Sequence, residues 1–489
     1  MSLLSTSLLQ PLCLIDGRWQ AALDAAVFDV DDPATGQVIA QVANGGVPEV
    51  RAAIAAAERA LPAWRAKPAR ERAQVLRRWY ELILEHADEL ARILTTEQGK
   101  PLAEAKGEVL YGASFVEWFA EQGRRIMGDI MESPQADKRL LVLRQGIGVC
   151  AAITPWNFPN AMVTRKAAPA LAAGCTLVLK PAEQTPLSAL VLGELALRAG
   201  VPPGVFNIVP CSAESVAQVG AELCASPVVR KLSFTGSTEI GRLLMRQCAD
   251  TVKKLSLELG GNAPFIVFED ADLEAAVEGA VLAKFRNAGQ TCVCANRIYV
   301  HAAIYEAFAQ RLTARVQQLR VGPGVESGKQ IGPLIDEAAV AKVEAHIQDA
   351  MALGSQVLTG GKKIEIHGYG TRFFTPTVLT GMTASMRIAH EEIFGPVAPL
   401  FSFQSEQEVV AAANATEYGL AAYVFTRDLT RVWRVTEALE YGMVGVNTGI
   451  IGNEVIPFGG VKQSGLGREG SVYGIDEYLE MKALCLGGM

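Results

Sequence analysis

The feature that most restricts the fold is a strict alternation of short apolar runs and helical segments between residues 146 and 258. Five apolar runs have the length and composition of buried strands: residues 148–153, 176–180, 205–209, 231–234 and 253–257. Helical patterns separate them, at residues 161–173, 187–199, 213–225 and 238–249. This alternation predicts a doubly wound parallel sheet, in which ligands bind where the carboxyl ends of the strands meet.

A second strand–helix series follows the glycine pair Gly260-Gly261. Its predicted strands are residues 265–268 and 297–300, and its predicted helices are residues 272–285 and 303–319. A chain of 489 residues is too long for one hydrophobic core, so we expect at least two domains. The boundary is predicted near residues 258–261, with the glycine pair acting as a hinge.

Helical spacing of apolar residues also marks the N-terminal part of the chain, at residues 48–60, 69–94 and 100–121. Two strand-like segments, Arg139 to Arg144 and Tyr478 to Leu486, lie far apart in the sequence. They are predicted to form a β-arm whose exposed edges need covering, and another subunit would cover them. We therefore expect a homo-oligomer, either a dimer or a tetramer.

Composition excludes several classes of partner. The chain has 45 basic and 52 acidic residues, a net charge of −7 and no basic block, so neither nucleic acid nor an anionic membrane is expected. No apolar run approaches the roughly eighteen residues of a membrane span. The first ten residues contain no Lys or Arg and no small-residue cleavage site. No signal peptide is therefore predicted, and the expected location is cytoplasmic.

Most of the cysteines are predicted to be structural. Seven lie in helical or strand-like apolar contexts and are expected to be buried, inert thiols in a reducing compartment. They are Cys13, Cys150, Cys175, Cys211, Cys224, Cys248 and Cys485. The five histidines show no metal-ligand spacing with one another or with cysteine, so no metal site is predicted.

Cys292 differs because it follows Gly-Gln-Thr, a stretch poor in apolar residues. The thiolate is the nucleophile, but a free thiol with a pKa of about 8.5 is mostly protonated at neutral pH. A catalytic cysteine therefore needs a base, an electrophile pocket and a hydrogen-bond donor for the oxyanion that it forms. Glu258, at the end of the fifth strand, is the candidate base, and Asn157, in the loop TPWNFP, is the candidate donor.

Both residues also have a plain structural interpretation. Glu258 would then be a strand-end carboxylate facing water, and Asn157 would serve the turn before Pro159. Each signal alone is weak. The two stay candidates because both follow strands of the same predicted sheet, where ligand sites are expected.

Two further strand ends indicate a nucleotide site. Lys180 ends the second strand and Glu183 follows it, placed to accept a hydrogen bond from a ribose hydroxyl. Thr235, Gly236 and Ser237 end the fourth strand and open a helix, whose free N–H groups and dipole favour phosphate. A solvated loop pair and an ordinary N-cap are the structural alternatives. The pattern is not G-x-G-x-x-G, so a dinucleotide would be held in a different way.

Seven motifs in register resemble the aldehyde dehydrogenase superfamily, from about Ile15 to Cys485. They are TPWNFP, LKPAEQTP, FTGST, LELGGN, GQTC, EEIFGP and PFGGVKQSGLGREG. The segment FRNAGQTCVCANR and the ending REGSVYGIDEYLE resemble the succinate-semialdehyde dehydrogenase branch. The resemblance implies an α/β fold with a Rossmann-type cofactor domain, an α/β catalytic domain and a β oligomerisation arm.

The resemblance also divides the chain. It implies a dinucleotide-binding domain at 1–126 and 146–258, a catalytic domain at 259–445, an oligomerisation arm at 127–145 and 472–489, and a return segment at 446–471.

The resemblance implies a role for each matching residue. Cys292 attacks the aldehyde carbon, and Asn157 and the Cys292 N–H stabilise the oxyanion of the thiohemiacetal. Hydride transfer to the nicotinamide leaves a thioester, and Glu258 activates the water that releases the acid. The resemblance implies that Lys180 belongs both to the catalytic residues and to the residues that bind the cofactor. The other residues implied to bind the dinucleotide are Thr154, Pro155, Trp156, Glu183, Thr235, Gly236, Ser237, Leu259, Phe394 and Glu392, the last on the nicotinamide-side ribose.

The charge at position 183 predicts which dinucleotide is preferred. Glu183 would repel the 2′-phosphate of NADP and accept a hydrogen bond from the 2′-hydroxyl of NAD, so NAD is the predicted cofactor. NADP is the alternative, because a glutamate side chain can swing aside.

The resemblance implies a small semialdehyde as substrate. Arg165 and Arg286 match the arginines that bind its distal carboxylate, and two guanidinium groups make a suitable fork. Phe458 and Gly452 complete the implied substrate site. The branch often has serine at position 452, so glycine removes a donor and adds room. Succinate semialdehyde is the leading substrate and glutarate semialdehyde the competitor. Both arginines also have a structural interpretation. Arg165 would then cap its helix at the surface, and Arg286 would form an ion pair that supports the fold.

Cys294 also appears in this branch, and a reversible disulfide with Cys292 would make it a redox switch. The alternative is a small apolar residue used for packing.

Two other classes of function compete. One is a nucleotide-independent cysteine thioesterase, which would usually pair Cys292 with a histidine; the nearest downstream one in the sequence, His301, lies in a predicted strand. The other is a non-catalytic relative, which the presence of Cys292, Glu258 and Asn157 argues against.

Overall fold

The computed structural model describes residues 7–488. Its strands in chain order are β1 (Cys13–Ile15), β2 (Arg18–Gln20), β3 (Val27–Asp31), β4 (Val38–Ala43), β5 (Asp129–Met131), β6 (Lys138–Gly146), β7 (Val149–Ile153), β8 (Thr176–Lys180), β9 (Phe206–Ile208), β10 (Val229–Thr235), β11 (Lys254–Glu258), β12 (Ala263–Val267), β13 (Ala295–His301), β14 (Gln356–Thr359), β15 (Lys363–Ile364), β16 (Phe373–Phe374), β17 (Thr377–Thr380), β18 (Val397–Phe403), β19 (Ala421–Phe425), β20 (Met443–Val446), β21 (Gly465–Leu466) and β22 (Leu479–Gly487).

The α-helices are α1 (Val47–Ala66), α2 (Ala69–Glu85), α3 (Ala87–Gln98), α4 (Leu102–Gln122), α5 (Ala161–Ala172), α6 (Pro186–Arg198), α7 (Val216–Ala225), α8 (Thr238–Cys248), α9 (Leu273–Phe285), α10 (Tyr305–Val316), α11 (Glu337–Ala352), α12 (Glu406–Asn414), α13 (Leu429–Ala438) and α14 (Ser471–Gly474).

The first sheet has the strand order β2-β1-β9-β8-β7-β10-β11-β21. Its central strands, β7 to β11, run parallel, as the alternation of apolar runs and helices predicts. The strand order reverses between β7 and β10, so the loops that follow these two strands face each other. This is the topological switch point, where open α/β sheets bind their ligands.

The second sheet has the strand order β14-β17-β18-β13-β12-β19-β20. Only the edge pair β14–β17 is antiparallel within the described sheet. Its central strands are almost fully buried because helices cover them and apolar side chains point to both faces. The strand–helix series predicted after the glycine pair is therefore confirmed, with ends that differ by a few residues.

A third, three-stranded sheet joins the two distant strand-like segments. Strand β22 pairs antiparallel with β6 along its whole length, from Leu479 opposite Gly146 to Gly487 opposite Lys138, and β5 pairs on the other side of β6. Large apolar side chains are exposed on this sheet, including Ile130 at 82% and Met481 at 74%. The pairing confirms the predicted β-arm; its role in assembly stays a prediction.

The division of the chain into domains also stays a prediction. The first sheet ends with β11, the second begins with β12, and the segment between them contains Gly260 and Gly261. Gly261 has a packing reason to be glycine, because a Cβ there would lie 2.6 Å from the backbone oxygen of Cys292. Strand β21 returns from the second half of the chain to pair with β11.

Two sequence predictions were wrong. The continuous helical pattern over residues 69–94 breaks at His86, where the backbone leaves the helical region (φ −101°, ψ 14°) and a new helix starts with Asp88 and Glu89 in its first turn. Cys485 is exposed rather than buried, because it lies on the edge strand of the arm.

In the described part of the chain, no helix is both long and apolar enough to cross a membrane.

Candidate active site

A cavity of ≈ 610 Å³ is lined by loops of both large sheets and brings together Cys292, Glu258 and Asn157. Asn157 follows β7 and Glu258 is the last residue of β11, as the switch-point argument requires, whereas Cys292 lies before the first residue of β13. The lining loops lie at residues 155–158, 235–237, 258–260, 291–293 and 392–394.

The chain before Cys292 is wound in an uncommon way. After α9 ends, Asn287, Ala288 and Gly289 are all left-handed, with φ of 51°, 55° and 77°. Left-handed backbone costs free energy for residues with a Cβ, and it persists only where surrounding contacts hold it. At Gly289 a side chain is excluded outright, since a Cβ would lie 2.2 Å from the oxygen of Gly395. This winding turns the chain from α9 into the cavity wall, where Cys292 stands half-buried.

Burial raises the pKa of the Cys292 thiol to about 12, and the Arg165 guanidinium acts against this rise. The thiol is therefore protonated at neutral pH in the free protein. A group in the same cavity must accept its proton before the sulfur can attack.

Glu258 is a carboxylate in the wall of this cavity. It is 2% exposed, and neither of its oxygens has a hydrogen-bond partner among the described residues. Burial first, and the nearby Glu469 carboxylate second, raise the pKa of Glu258 well above its usual range. A carboxyl group with a raised pKa is suited to accept and return protons near neutral pH.

Asn157 is held from two sides. Its side-chain Nδ2 donates to the backbone oxygen of Gln290 at 3.0 Å, and its own backbone oxygen accepts from Lys100 Nζ at 2.8 Å and Asn287 Nδ2 at 3.1 Å. The bond to Gln290 uses one of the two amide hydrogens of Asn157. The bond leaves the second amide hydrogen for another acceptor.

Two guanidinium groups line the same cavity. Arg165 is 1% exposed; its Nε lies 2.6 Å from Glu469 Oε2, and its group lies 4.1 Å from the Phe458 ring centroid. Neither Arg165 Nη2 nor Arg286 Nε has a hydrogen-bond partner among the described residues. A buried guanidinium N–H left without a partner is costly, and two guanidinium charges in one wall favour an anion over an apolar group in the cavity. Surface capping by Arg165 was the wrong alternative, since the residue is buried.

The residues expected to hold a dinucleotide fall into two groups. Pro155, Trp156, Thr235, Gly236, Ser237, Leu259, Glu392 and Phe394 line the cavity. Thr154, Lys180 and Glu183 lie outside its wall, at and after the adjacent ends of β7 and β8, where Lys180 Nζ and Glu183 Oε2 are 3.1 Å apart.

The local chemistry of these residues fits a dinucleotide. Ser237 is the N-cap of α8 and accepts from Ile240 N at 3.3 Å, which leaves the other N–H groups of the first turn for phosphate. The rings of Trp156 and Phe394 meet edge to face at 5.5 Å. Glu392 Oε1 accepts from Gly261 N at 3.2 Å, and burial raises the pKa of this carboxyl to about 7.

The remaining predicted residues are Gly452, Phe458 and Cys294. The first two line the cavity, and a Cβ at Gly452 would lie 3.2 Å from the Tyr111 hydroxyl. Cys294 is buried, and its thiol donates to the backbone oxygen of Lys284 at 3.4 Å. This contact suits the packing interpretation; the redox switch stays a prediction.

Sequence reasoning missed several residues of the wall. They are Lys100, Glu104, Glu108 and Tyr111 near or on α4, and Lys342 on α11. The carboxylate of Glu469, which contacts Arg165 of this wall, was missed as well. Charged residues within a helical pattern are ordinarily solvated, and the burial of these residues depends on contacts with distant loops.

In the described part of the chain, no group of three or more His, Cys, Asp or Glu residues is arranged to hold a metal ion.

Three comparisons with known proteins, by family model, by sequence and by structure, give the family to which the chain belongs. The model of the aldehyde dehydrogenase family matches residues 19–484, and the chain belongs to this family. The fold class predicted from the sequence is therefore confirmed, and the activity is that of an NAD(P)-dependent aldehyde dehydrogenase.

The similar proteins cover the whole chain. The succinate-semialdehyde dehydrogenase [NADP(+)] of Escherichia coli (strain K12) is 62% identical over 487 residues, covering 100% of both chains. The glutarate-semialdehyde dehydrogenase of Pseudomonas aeruginosa is 59% identical over 489 residues, also covering 100% of both. A crystal structure described as an E. coli NADP-dependent enzyme superposes with a TM-score of 0.97 at 62% identity, covering 99% of this chain and 100% of the other.

Proposed function

We propose that the protein oxidises a short aldehyde with a distal carboxylate to the dicarboxylic acid, with succinate semialdehyde as the leading substrate. The observation that carries this proposal is the pair of unpartnered guanidinium nitrogens, Arg165 Nη2 and Arg286 Nε, in the wall of the cavity that holds Cys292. A carboxylate satisfies such groups better than water or an alkyl chain does. The names of the similar proteins, which act on succinate and glutarate semialdehyde, support the same substrate class.

In the first half of the reaction, the sulfur of Cys292 bonds to the aldehyde carbon while Glu258 accepts the thiol proton. The Nδ2 of Asn157 donates to the oxyanion that forms. Removing one such donor typically costs about 10²–10³-fold in rate. NAD(P), held by the loops at residues 235–237 and 392–394, would supply the acceptor for the hydride that leaves the thiohemiacetal carbon, and this carbon then becomes the thioester.

In the second half, Glu258 first releases the thiol proton to solvent. It then takes a proton from water, whose oxygen attacks the thioester carbon, and returns that proton to the sulfur. The carbon–sulfur bond breaks, the acid leaves, and the thiol is restored. The unpartnered, buried carboxylate supports this role because it has no competing partner among the described residues.

The rival thioesterase would use a histidine base, whereas none of the residues that line the described cavity is a histidine.

Glutarate semialdehyde is the second candidate substrate. The absence of a side chain at Gly452 leaves room beside Tyr111 and Phe458, and one extra methylene needs such room. Because the two aldehydes differ only in this length, the choice depends on the distance between the arginines and the sulfur.

For the cofactor, the sequence prediction of an NAD preference lacks support from the comparisons, since the relative from E. coli is named for NADP. The ion pair between Glu183 and Lys180 supports use of both dinucleotides. In this proposal Lys180 draws the carboxylate towards itself, which reduces repulsion of a 2′-phosphate.

We also propose that the chain assembles as a homo-oligomer through the β-arm and works in the cytoplasm. The exposed apolar side chains of the arm, such as Ile130 and Met481, support assembly. A reducing compartment would keep the thiol of Cys292 active.

The test is a panel of ω-carboxy aldehydes with three to six carbons and butanal as the uncharged control, each assayed at 340 nm with NAD and with NADP. We expect the highest kcat/KM with the four- or five-carbon acid aldehyde and at least tenfold less with butanal. Equal kcat/KM for butanal and the acid aldehydes would reject the carboxylate site.

A further inference from the structure

A buried ion pair lies directly behind the loop that carries Asn157. Lys100 Nζ is 2.5 Å from Glu108 Oε2, and both side chains are only 1% exposed. Lys100 precedes α4 and Glu108 lies within it. The mechanism described above uses neither residue.

The pair holds the loop of Asn157 at its middle and at the end where α5 begins. Lys100 Nζ donates to the backbone oxygen of Asn157 at 2.8 Å and lies 3.9 Å from the ring centroid of Phe158. Glu108 Oε1 accepts from the backbone nitrogens of Asn160 at 2.9 Å and Ala161 at 3.2 Å, where α5 begins. Both oxygens of Glu108 and the nitrogen of Lys100 are thereby occupied.

Stability alone is a poor explanation for this arrangement. Two charges lose their hydration when they are buried, and apolar residues of similar volume often stabilise a fold as well or better. Backbone groups, by contrast, need fixed partners to keep a loop in one conformation. The contacts of this pair are directed at the residue whose amide must meet an oxyanion.

The bonds around Asn157 fix the direction of its side chain. Its backbone oxygen is held by Lys100 and Asn287, and its Nδ2 is held by the oxygen of Gln290. If the backbone at Asn157 moved, the amide would either lose the bond to Gln290 or turn away from Cys292. Misplacement of a group by about 1 Å can cost on the order of 10²-fold in rate.

We propose that Lys100 and Glu108 are positioning residues. They hold the side-chain amide of Asn157 where it meets the oxyanion that forms when Cys292 attacks the aldehyde. This inference rests on the proposed role of Asn157 as the oxyanion donor. Neither residue contacts the reacting atoms in this mechanism, and their effect passes through the backbone of residues 157–161.

The test is a double-mutant cycle measured on the first turnover. The variant Lys100→Met/Glu108→Gln removes both charges together, so that no unpaired charge is left buried, and glutamine keeps an oxygen for Asn160 and Ala161. The rate of the first burst of NAD(P)H is measured in this variant, in Asn157→Ala and in the triple variant. Lys253→Met is the matched control, because Lys253 is also a buried lysine bonded to two backbone oxygens but lies outside the cavity wall.

We expect loss of the pair to slow the burst by about 10–100-fold when Asn157 is present. In the Asn157→Ala background the same change should cost less than threefold. Dinucleotide Kd, measured by fluorescence, should change less than threefold throughout, and Lys253→Met should leave the burst unchanged.

An equal loss in both backgrounds would overturn the inference, because the pair would then act elsewhere. A double variant with a normal burst would overturn it as well. If Asn157→Ala alone left the burst unchanged, the proposed oxyanion role would fail first, which distinguishes the two failures. Should the double variant not bind dinucleotide, Lys100→Arg replaces it in the cycle and keeps the charge while lengthening the side chain.

Discussion

Two charged clusters in the cavity wall differ in how completely their atoms are paired. Around Lys100 and Glu108 the ammonium nitrogen and both carboxylate oxygens have partners. Around Arg165 and Glu258, the Nη2 of the arginine and both oxygens of the glutamate have none among the described residues. Both clusters are buried, so the difference does not come from solvent. A paired cluster fixes backbone, whereas an unpaired one is ready to bind water or substrate.

The largest effect is expected in the unpaired cluster, from Glu258→Gln. The amide cannot accept a proton, so kcat should fall by about 10²–10⁴-fold, the usual contribution of a general base. Steady-state and stopped-flow absorbance at 340 nm would measure it. An unchanged kcat would remove Glu258 from the mechanism, and the Lys253→Met variant controls for the loss of any buried charge.

Next in size is Arg286→Ala, which removes one of the guanidinium groups. The kcat/KM for succinate semialdehyde should fall by about 10–100-fold, as expected for a charged hydrogen bond. For butanal it should change less than threefold, because butanal has no carboxylate. Equal losses for both aldehydes would mean that Arg286 supports the fold rather than the substrate.

A smaller effect is expected from Gly452→Ser, which fills space beside Tyr111. The ratio of kcat/KM for glutarate semialdehyde to that for succinate semialdehyde should fall about tenfold, the usual worth of one methylene. The aldehyde panel measures this ratio directly. A ratio that stays constant or rises would show that position 452 does not set chain length.

The smallest expected effect concerns stability. Because the pKa of Glu258 is raised in the folded protein, the unfolded chain releases this proton first, and the wild type loses stability as pH rises above the ordinary carboxyl pKa. Glu258→Gln does not titrate, so its Tm should exceed that of the wild type by roughly 1–3 °C at pH 8 and match it near pH 4. A difference that grows as pH falls would have the wrong sign and would contradict the burial argument.

The sequence predicted the framework of this molecule well. Alternating apolar runs specify the parallel strands, and the residues at their ends, Asn157, Ser237 and Glu258, lie where a switch point places them. Such positions follow from local periodicity and from the rule that parallel strands end at one edge.

The paired cluster was not predictable in the same way. Lys100 and Glu108 belong to a stretch that reads as a helix with charged positions, which usually face water. Their burial depends on a loop more than fifty positions later. Likewise, no local pattern signals the left-handed run at Asn287 and Ala288, because contacts with other loops impose it.

The contact between Arg165 and Glu469 has a consequence for synthesis of the chain. The two residues are separated by 304 positions (469 − 165), and Glu469 contacts an arginine of the cavity wall. During translation, Arg165 has no Glu469 to pair with until every residue between the two has been synthesised. A truncated chain that lacks residue 469 would leave the Arg165 guanidinium without its carboxylate partner. Such a chain would be an unstable protein, subject to degradation, rather than a partly active enzyme.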